Sequence, residues 1–318
     1  MRVLISDRTH PVLADRLRQA GYDVSIEPDH DYEGLAQAAQ GYDGLVVRSK
    51  VVIDRAFIDR CPALRCIGRV GAGMETIDVD YAESKGIRCL NSPEGNRDAV
   101  GEHTVGLLLA LLNHIARADA EVRQGLWQRE ANRGHELGNL TVGIIGFGNM
   151  GQAFAKRLSG FGCRIIFHDL KDFKDLKDLT LPRQVPLSQL QAESDIVSFH
   201  VPLTAETHHY LDAAFIEAMA HPFYLLNTSR GAVVDTEALV QGLDNGKVLG
   251  AALDVLEYEN MQADALGAQA TPPALEYLRQ SPRTVLTPHV AGWTVESKYK
   301  LAAVLADKII HTLSPLCS

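Results

Sequence analysis

At 318 residues the chain is long enough for about two domains. Hydrophobic residues at 46% and charged residues at 22% exclude a disordered chain, and 26 Gly with 13 Pro exclude a collagen-like one. With 31 Lys and Arg against 40 Asp and Glu, the formal net charge is −9, which argues against general binding of nucleic acid or of an anionic membrane; an anionic substrate therefore needs a local cluster of cations.

Short β-branched runs alternate with helix-length segments. Arg2–Ser6, Asp23–Ile26, Gly44–Val47, Arg65–Gly68 and Ile87–Leu90 read as strands, and Val12–Ala20 reads as a helix. Gly21, Gly41 and Gly86 stand where helix C-caps fall. Repeated βα units of this length predict a parallel sheet covered on both faces. From Asp98 to Gln124, the residues Val100, Thr104, Leu107, Leu108, Leu111, Ile115, Ala118 and Val122 recur at helical spacing. They predict one long helix with Asp98 as N-cap, serving either between domains or inside a core. A second strand series opens at Thr141–Ile145. It continues through Arg164–Phe167, Asp195–Phe199, Phe223–Asn227, Val248–Leu253 and Thr284–Leu286, six strands in all, the count of a doubly wound dinucleotide fold. Lys174–Asp178 reads as a solvated loop, Met261–Pro273 as a surface excursion and Val295–His311 as a final helix.

Targeting signals are weak. The start, MRVLISDRTH, lacks the ~7–15-residue apolar core of a secretion signal. The apolar run Val105–Leu112 is far short of the ~20 residues that cross a bilayer. Five cysteines, an odd number without a CxxC pair, predict neither a disulfide framework nor a zinc site, and a cytoplasmic, metal-free protein is expected.

The sharpest motif is Gly146-Phe147-Gly148-Asn149-Met150-Gly151, which follows the strand TVGII directly and opens a helix. In that context Gly146 permits the tight turn, Gly148 lets the backbone approach a pyrophosphate, and Gly151 allows helix and strand to pack closely. The pyrophosphate then rests on the free N–H groups of the helix N-terminus. Asp169, 18 residues after Gly151, ends the next strand at the spacing of the acidic residue that binds the adenosine ribose. A carboxylate there repels a 2′-phosphate, so NAD is expected over NADP, with Lys171 close by.

These glycines lie mid-chain, so a complete βα domain precedes the cofactor domain. Later come Asn227-Thr228-Ser229-Arg230-Gly231 after the strand FYLLN, Gly250-Ala251-Ala252-Leu253-Asp254-Val255 with Glu259 five residues beyond its Asp, and Thr287-Pro288-His289-Val290-Ala291-Gly292-Trp293. Earlier come Gly68-Arg69-Val70-Gly71-Ala72-Gly73 and Asn91-Ser92-Pro93-Glu94-Gly95-Asn96. In this order the segments resemble the D-isomer-specific 2-hydroxyacid dehydrogenase family over essentially the whole chain. The similarity is greatest to its 3-phosphoglycerate dehydrogenase branch.

The resemblance implies an α/β fold of two doubly wound parallel-sheet domains, a Rossmann-type cofactor domain inserted into a flavodoxin-like substrate domain. The boundaries drawn are 1–97, completed by 288–318, for the substrate domain and 98–287 for the NAD domain. It implies that Arg230 grips the substrate carboxylate, that His289 is the acid–base and that Glu259 orients and tunes His289. These residue types suit those roles, because a guanidinium fork matches a carboxylate and a carboxylate fixes an imidazole's tautomer. The family often has Pro after its Glu, where Asn260 stands here. Glu257 is also available, and about twenty residues of extra loop are expected before His289. For the nucleotide the resemblance adds His200, Pro202 and Thr207, then Thr228, Ser229 and Asp254, and finally His289 and Gly292. His200 is expected near the cofactor without doing chemistry, and His103, after Glu102 on the long helix, is expected to be structural.

For substrate it implies Arg48 and Ser49, the loop Arg69-Val70-Gly71-Ala72, and Arg230. Arg48, Arg69 and Lys50 form a plausible phosphate clamp. The favoured reaction is oxidation of 3-phosphoglycerate to 3-phosphohydroxypyruvate. Reduction of glyoxylate or hydroxypyruvate is the runner-up, and an NAD-sensing corepressor-like protein is the non-enzymatic alternative. The chain stops soon after its last helix, so no serine control through a regulatory extension is expected. A homodimer paired through the long helix is expected as well.

Overall fold

The central runs, such as Gly44–Val47, Ile196–Phe199 and Phe223–Asn227, bury every residue and pair as parallel strands, which is why they are almost wholly apolar, whereas edge runs such as Asp23–Ile26 keep polar residues. The computed structural model describes residues 1–173, 182–260, 265–266 and 272–313. The chain divides into two units, Met1–Arg97 with Trp293–Ser318, and Asp98–Gly292.

The first unit contains β1 (Arg2–Ile5), α1 (Val12–Gln19), β2 (Asp23–Ile26), α2 (Tyr32–Ala38), β3 (Gly44–Val47), α3 (Arg55–Arg60), β4 (Cys66–Arg69), α4 (Val79–Ser84) and β5 (Arg88–Asn91). Its five strands are parallel, in the order β2-β1-β3-β4-β5. Asp31, Asp54 and Asp78 cap α2, α3 and α4 by accepting from the N–H groups of Gly34, Phe57 and Tyr81. Gly21 and Gly86 do end helices at positive φ, whereas Gly41 closes a short 3-10 turn, Ala39–Gly41, without it.

The second unit contains α5 (Arg97–Leu112), α6 (Ile115–Arg123), β6 (Thr141–Ile145), α7 (Asn149–Leu158), β7 (Arg164–His168), β8 (Arg183–Gln184), α8 (Leu187–Glu193), β9 (Ile196–Phe199), α9 (Ala213–Ala218), β10 (Phe223–Asn227), α10 (Thr236–Asp244), β11 (Val248–Leu253), β12 (Glu259–Asn260), β13 (Ala265–Leu266), α11 (Pro273–Gln280) and β14 (Thr284–Leu286). Helix α12 (Val295–Leu313) then returns to the first unit, where Ala302, Leu305, Ala306 and Ile309 pack with Leu13 and Leu17 of α1 and with Val3 and Ile5 of β1. Leu4 of β1 points to the opposite core with Leu45, Ile67 and Phe57, as the two-residue period of a strand requires.

The larger sheet runs β14-β11-β10-β9-β6-β7-β8, all parallel. Chain order reverses between β6 and β9, and such switch points open a crevice at the strands' carboxyl ends. The two parallel sheets bear out the fold class.

Several details differ from the sequence reading. The sheet has seven strands, because the two-residue edge strand β8 is too short to give a periodic signal. The long helix Asp98–Gln124 is two helices bent by 62°. The break is His114, at φ 54°, in the left-handed region that Asn and His adopt more readily than most residues. Helix α5 buries residues around much of its circumference, whereas α6 buries none. The return to the first unit comes at Trp293, five residues after the boundary drawn at 288. Residues 288–292 stay with the second unit because His289, Val290 and Ala291 donate their N–H groups to Asp254. The stretch before His289 is less loop than expected: Glu259 and Asn260 pair antiparallel with Leu266 and Ala265, and Pro273–Gln280 is helical, with Pro at its first turn. Lys174–Asp178 and most of Met261–Pro273 lie outside the described residues. Among the described residues no single helix is long and apolar enough to cross a membrane.

Candidate active site

The glycine loop sits at the carboxyl end of β6, at the switch point. Gly146 takes φ 89°, and a Cβ there would press on the His200 carbonyl at 2.7 Å. Only glycine fits this turn. Its N–H donates to His168 O at 2.9 Å, and the N–H of Phe147 donates to Asp169 Oδ2 at 2.7 Å. The Phe147 ring is buried and stacks on Phe167 at 3.8 Å between centroids. The loop is thus fastened from below by side chain and backbone. Above it, a Cβ on Gly148 would meet nothing within 4 Å, and no side chain caps the first turn of α7. Among the described residues no side chain takes up the N–H groups of that turn, which leaves them for a pyrophosphate. Asp169 ends β7 and also accepts from the N–H of Lys171 at 2.8 Å, so each oxygen keeps a lone pair for a ribose hydroxyl. A nicotinamide dinucleotide fits these residues.

After β9, His200 is buried. Its Nε2 lies 2.8 Å from Ser198 Oγ, and burial pushes its pKa down to about 3. It stays neutral near pH 7 and does not exchange protons there. The following turn is fixed by Thr207, whose hydroxyl donates to Pro202 O at 2.6 Å and accepts from the Thr204 N–H at 2.8 Å.

The Arg230 loop leaves β10. The Asn227 side chain accepts from the Ser229 N–H and hydroxyl at 3.0 and 2.8 Å and donates to Arg230 O at 2.9 Å, closing a tight turn. A Cβ on Gly231 would fall on the Leu256 carbonyl, so the turn lies directly against the chain that leaves β11. The half-buried Arg230 donates through its Nη1 to Ser229 O at 2.6 Å.

His289 sits two residues beyond the start of the loop after β14, at φ 53°. Its Nδ1 is 3.0 Å from Glu259 Oε1. A carboxylate only accepts, so Nδ1 carries the proton and Nε2 is left for a reacting group. The competing Glu257 is engaged elsewhere: it lies 2.6 Å from His209 Nε2 and accepts from the Thr236 N–H at 3.0 Å, at the start of α10.

Asp254, 1% exposed, joins these loops. Its N–H donates to Asn227 O at 3.0 Å and its carbonyl accepts from the His289 N–H at 2.7 Å. Its carboxylate accepts from Val290 N at 2.9 Å, Ala291 N at 2.9 Å and Thr287 Oγ1 at 2.6 Å, and His103 Nε2 stands 3.4 Å away. Burial pushes the Asp254 carboxyl up, but the hydrogen bonds from His103, Thr287 and the two N–H groups outweigh it and hold the value below the ordinary one. His103, Thr104 and Thr287 escaped the sequence reading as site residues. His103 and Thr104 lie in none of the motif segments, Thr287 only opens the His289 segment, and His103 is 184 positions from Thr287.

In the first unit Arg48 follows β3 and its N–H donates to Asp7 Oδ2 at 2.7 Å, while its guanidinium lies 5.4 Å from the centre of the Trp293 ring. Burial raises the Asp7 carboxyl against the opposing pull of that N–H and of Arg48, Lys50 and Arg69. The loop Arg69-Val70-Gly71-Ala72 is held by Val70 N to Val47 O at 3.0 Å, Ser92 N to Gly71 O at 2.9 Å and Asn91 Nδ2 to Ala72 O at 2.6 Å. Ser49 follows Arg48 in the loop after β3.

Known proteins resemble this chain over both units. The sequence profile of the D-isomer specific 2-hydroxyacid dehydrogenase NAD binding domain matches residues 105–291. A hydroxypyruvate reductase of Thermotoga maritima is 39% identical over 92% of this chain and 92% of its own length. A D-3-phosphoglycerate dehydrogenase of Archaeoglobus fulgidus is 32% identical over 98% of this chain but 57% of its own length. The crystal structure of an Aquifex aeolicus D-lactate dehydrogenase, complexed with NAD and lactic acid, superposes with a TM-score of 0.82 at 27% identity, covering 97% of this chain and 94% of that one. With the NAD-domain profile matched over more than half of its length and relatives this similar over nearly all of it, the chain belongs to the D-isomer specific 2-hydroxyacid dehydrogenase family and is an NAD-dependent oxidoreductase.

Proposed function

We propose that the chain interconverts a short D-2-hydroxy acid and its 2-oxo acid, with Arg230, Glu259 and His289 as its catalytic residues. The observation that carries this is the His289–Glu259 pair at 3.0 Å, which leaves His289 Nε2 as the proton-exchanging atom. In oxidation Nε2 takes the hydroxyl proton; in reduction the imidazolium returns it to the carbonyl oxygen as C2 becomes tetrahedral. Glu259 holds the ring and stabilises its cationic form. Arg230 grips the substrate carboxylate through its guanidinium fork and so orients C2. The Gly146–Gly151 loop and Asp169 would hold NAD, which would supply the hydride-transfer chemistry. Asp169 is proposed to favour NAD over NADP by repelling a 2′-phosphate.

For substrate we favour 3-phosphoglycerate and 3-phosphohydroxypyruvate, because Arg48, Lys50 and Arg69 all act on the same half-buried carboxylate, Asp7, and so concentrate positive charge in an acidic chain. Hydroxypyruvate or glyoxylate is the second reading. It is favoured by Asp7 itself, which offsets part of that charge, and by the similarity to a hydroxypyruvate reductase over 92% of both chains. The test is NADH consumption with 3-phosphohydroxypyruvate, hydroxypyruvate, glyoxylate and pyruvate side by side. A kcat/KM for the phosphorylated acid at least about tenfold above the others, lost in Arg48→Ala, supports the first reading. A preference for hydroxypyruvate that ignores Arg48→Ala supports the second, and turnover of none of them overturns both.

We further infer a homodimer in the cytoplasm. Helix α6 and the residues after it expose Ile115 (53%), Val122 (53%), Leu126 (43%) and Trp127 (78%), apolar side chains that a two-fold partner would cover. A monomeric mass in light scattering at micromolar concentration contradicts it.

A further inference from the structure

We infer that His103, on α5, is a positioning residue for the reaction: it locks the Asp254–Thr287 pair that holds the His289 loop. The inference rests on His289 being the acid–base.

The Thr287 hydroxyl has one proton, and it is directed to Asp254 Oδ1 at 2.6 Å. His103 Nε2 lies 3.1 Å from the same Thr287 oxygen and 3.4 Å from Asp254 Oδ1. Both oxygens can only accept from it, so His103 must present an N–H at Nε2. That donor closes a three-member network whose other contacts go to the backbone of the His289 loop, at Val290 and Ala291. The next residue on the same helix does the parallel thing for the other loop. Thr104 Oγ1 lies 2.7 Å from Val100 O, to which it donates, and 3.1 Å from Thr228 Oγ1, two residues before Arg230. One turn of α5 therefore touches the loop carrying His289 and the loop carrying Arg230. The helix is buried among the second unit's core, with Leu107, Leu108 and Leu111 against β6, β10 and β11, and so offers a rigid reference for both.

The reason for such a device is the conformation of His289. A left-handed φ at a non-glycine residue persists only where its surroundings over-determine it. Without the His103 donor, Thr287 and Asp254 lose one side of their network. Misplacing an acid–base by a fraction of an ångström lowers the chemical step without changing how cofactor or substrate binds.

The experiment compares His103→Leu with His103→Gln, whose amide N–H reaches the position of Nε2. His103→Leu is expected to lower kcat by ~10–100-fold, with KM and the NADH dissociation constant within about twofold of the parent. His103→Gln is expected to restore kcat to within about threefold, and His103→Leu added to Thr287→Val to cause little further loss. If His103→Leu does not fold, Thr287→Val against Thr287→Ser reads the same contact. The proposal is overturned if His103→Leu keeps kcat within about threefold, if His103→Gln falls as far as His103→Leu, or if the two losses multiply. His289→Asn separates this from the reading beneath it. Retained turnover in His289→Asn removes the acid–base assignment, and this proposal with it. An inert His289→Asn beside an unimpaired His103→Leu removes only the role of His103.

Discussion

The loop after β6 and the loop after β14 both leave a parallel strand through a residue at positive φ, Gly146 at 89° and His289 at 53°. They are held by different means. Gly146 adopts its conformation without a steric penalty, and the loop around it is fastened to the one strand beside it, through His168 O, the Asp169 carboxylate and the Phe167 ring. His289 pays for its conformation, a non-glycine residue in this region being strained by ~1–3 kcal/mol, and is held by Asp254 and by the helix that carries His103. The first loop is a motif and the second is an assembly. A motif fails at its own residues, whereas an assembly fails at residues far from the chemistry.

The largest expected effect tests the assembly at the residue proposed to exchange the proton. His289→Ala is expected to lower kcat by ~10²–10⁴-fold while NADH binding, measured by fluorescence titration, stays near the parent value. A parallel loss of NADH binding would mean that the two loops are not separable. Arg230→Lys keeps the charge but loses the two-pronged grip, so KM for the 2-oxo acid is expected to rise by ~10–100-fold, with a smaller fall in kcat. An unchanged KM in steady-state assays would take Arg230 off the substrate carboxylate.

Asp254→Asn sharpens the comparison through pH. The folded-state value of Asp254 lies below the ordinary carboxylate range. The stability it contributes is therefore fully present above that range and is lost as pH falls through the folded value. The variant is expected to be less stable by ~1–3 kcal/mol near neutral pH, with the gap to the parent closing in acid. Melting temperatures of both proteins from neutral to acid pH check this, and a gap independent of pH would contradict it. In the other loop, Asp169→Ala removes a carboxylate that anchors the Phe147 N–H and is proposed to bind the adenosine ribose. The ratio of NADP to NAD dissociation constants is expected to shrink about tenfold, as removing one charged hydrogen-bond partner implies. Equal affinity for both cofactors in the parent would remove the premise. The smallest effect concerns substrate. Asp7→Asn removes the negative charge among Arg48, Lys50 and Arg69, so KM for 3-phosphohydroxypyruvate is expected to fall about two- to fivefold while KM for hydroxypyruvate stays constant. A fall for both, or for neither, weakens the phosphate reading.

The sequence by itself determined the strand and helix periods, the parallel character of both sheets and the glycine turn, because each rests on contacts a few residues apart or on a repeat that burial imposes. It also named Arg230 and His289 and narrowed the carboxylate to two candidates. Tertiary structure chose between them, placing Glu257 on His209 and at the start of α10 and leaving Glu259 for His289. It broke the predicted long helix at His114, where apolar spacing runs on unchanged but one left-handed residue turns the chain. It also kept residues 288–292 with the second unit, through three N–H groups given to Asp254. His103 and Thr287, 184 positions apart, meet only because α5 lies against the β11–β14 end of the sheet. No local pattern encodes that meeting, since hydrogen bonds between distant side chains depend on where packed elements come to rest.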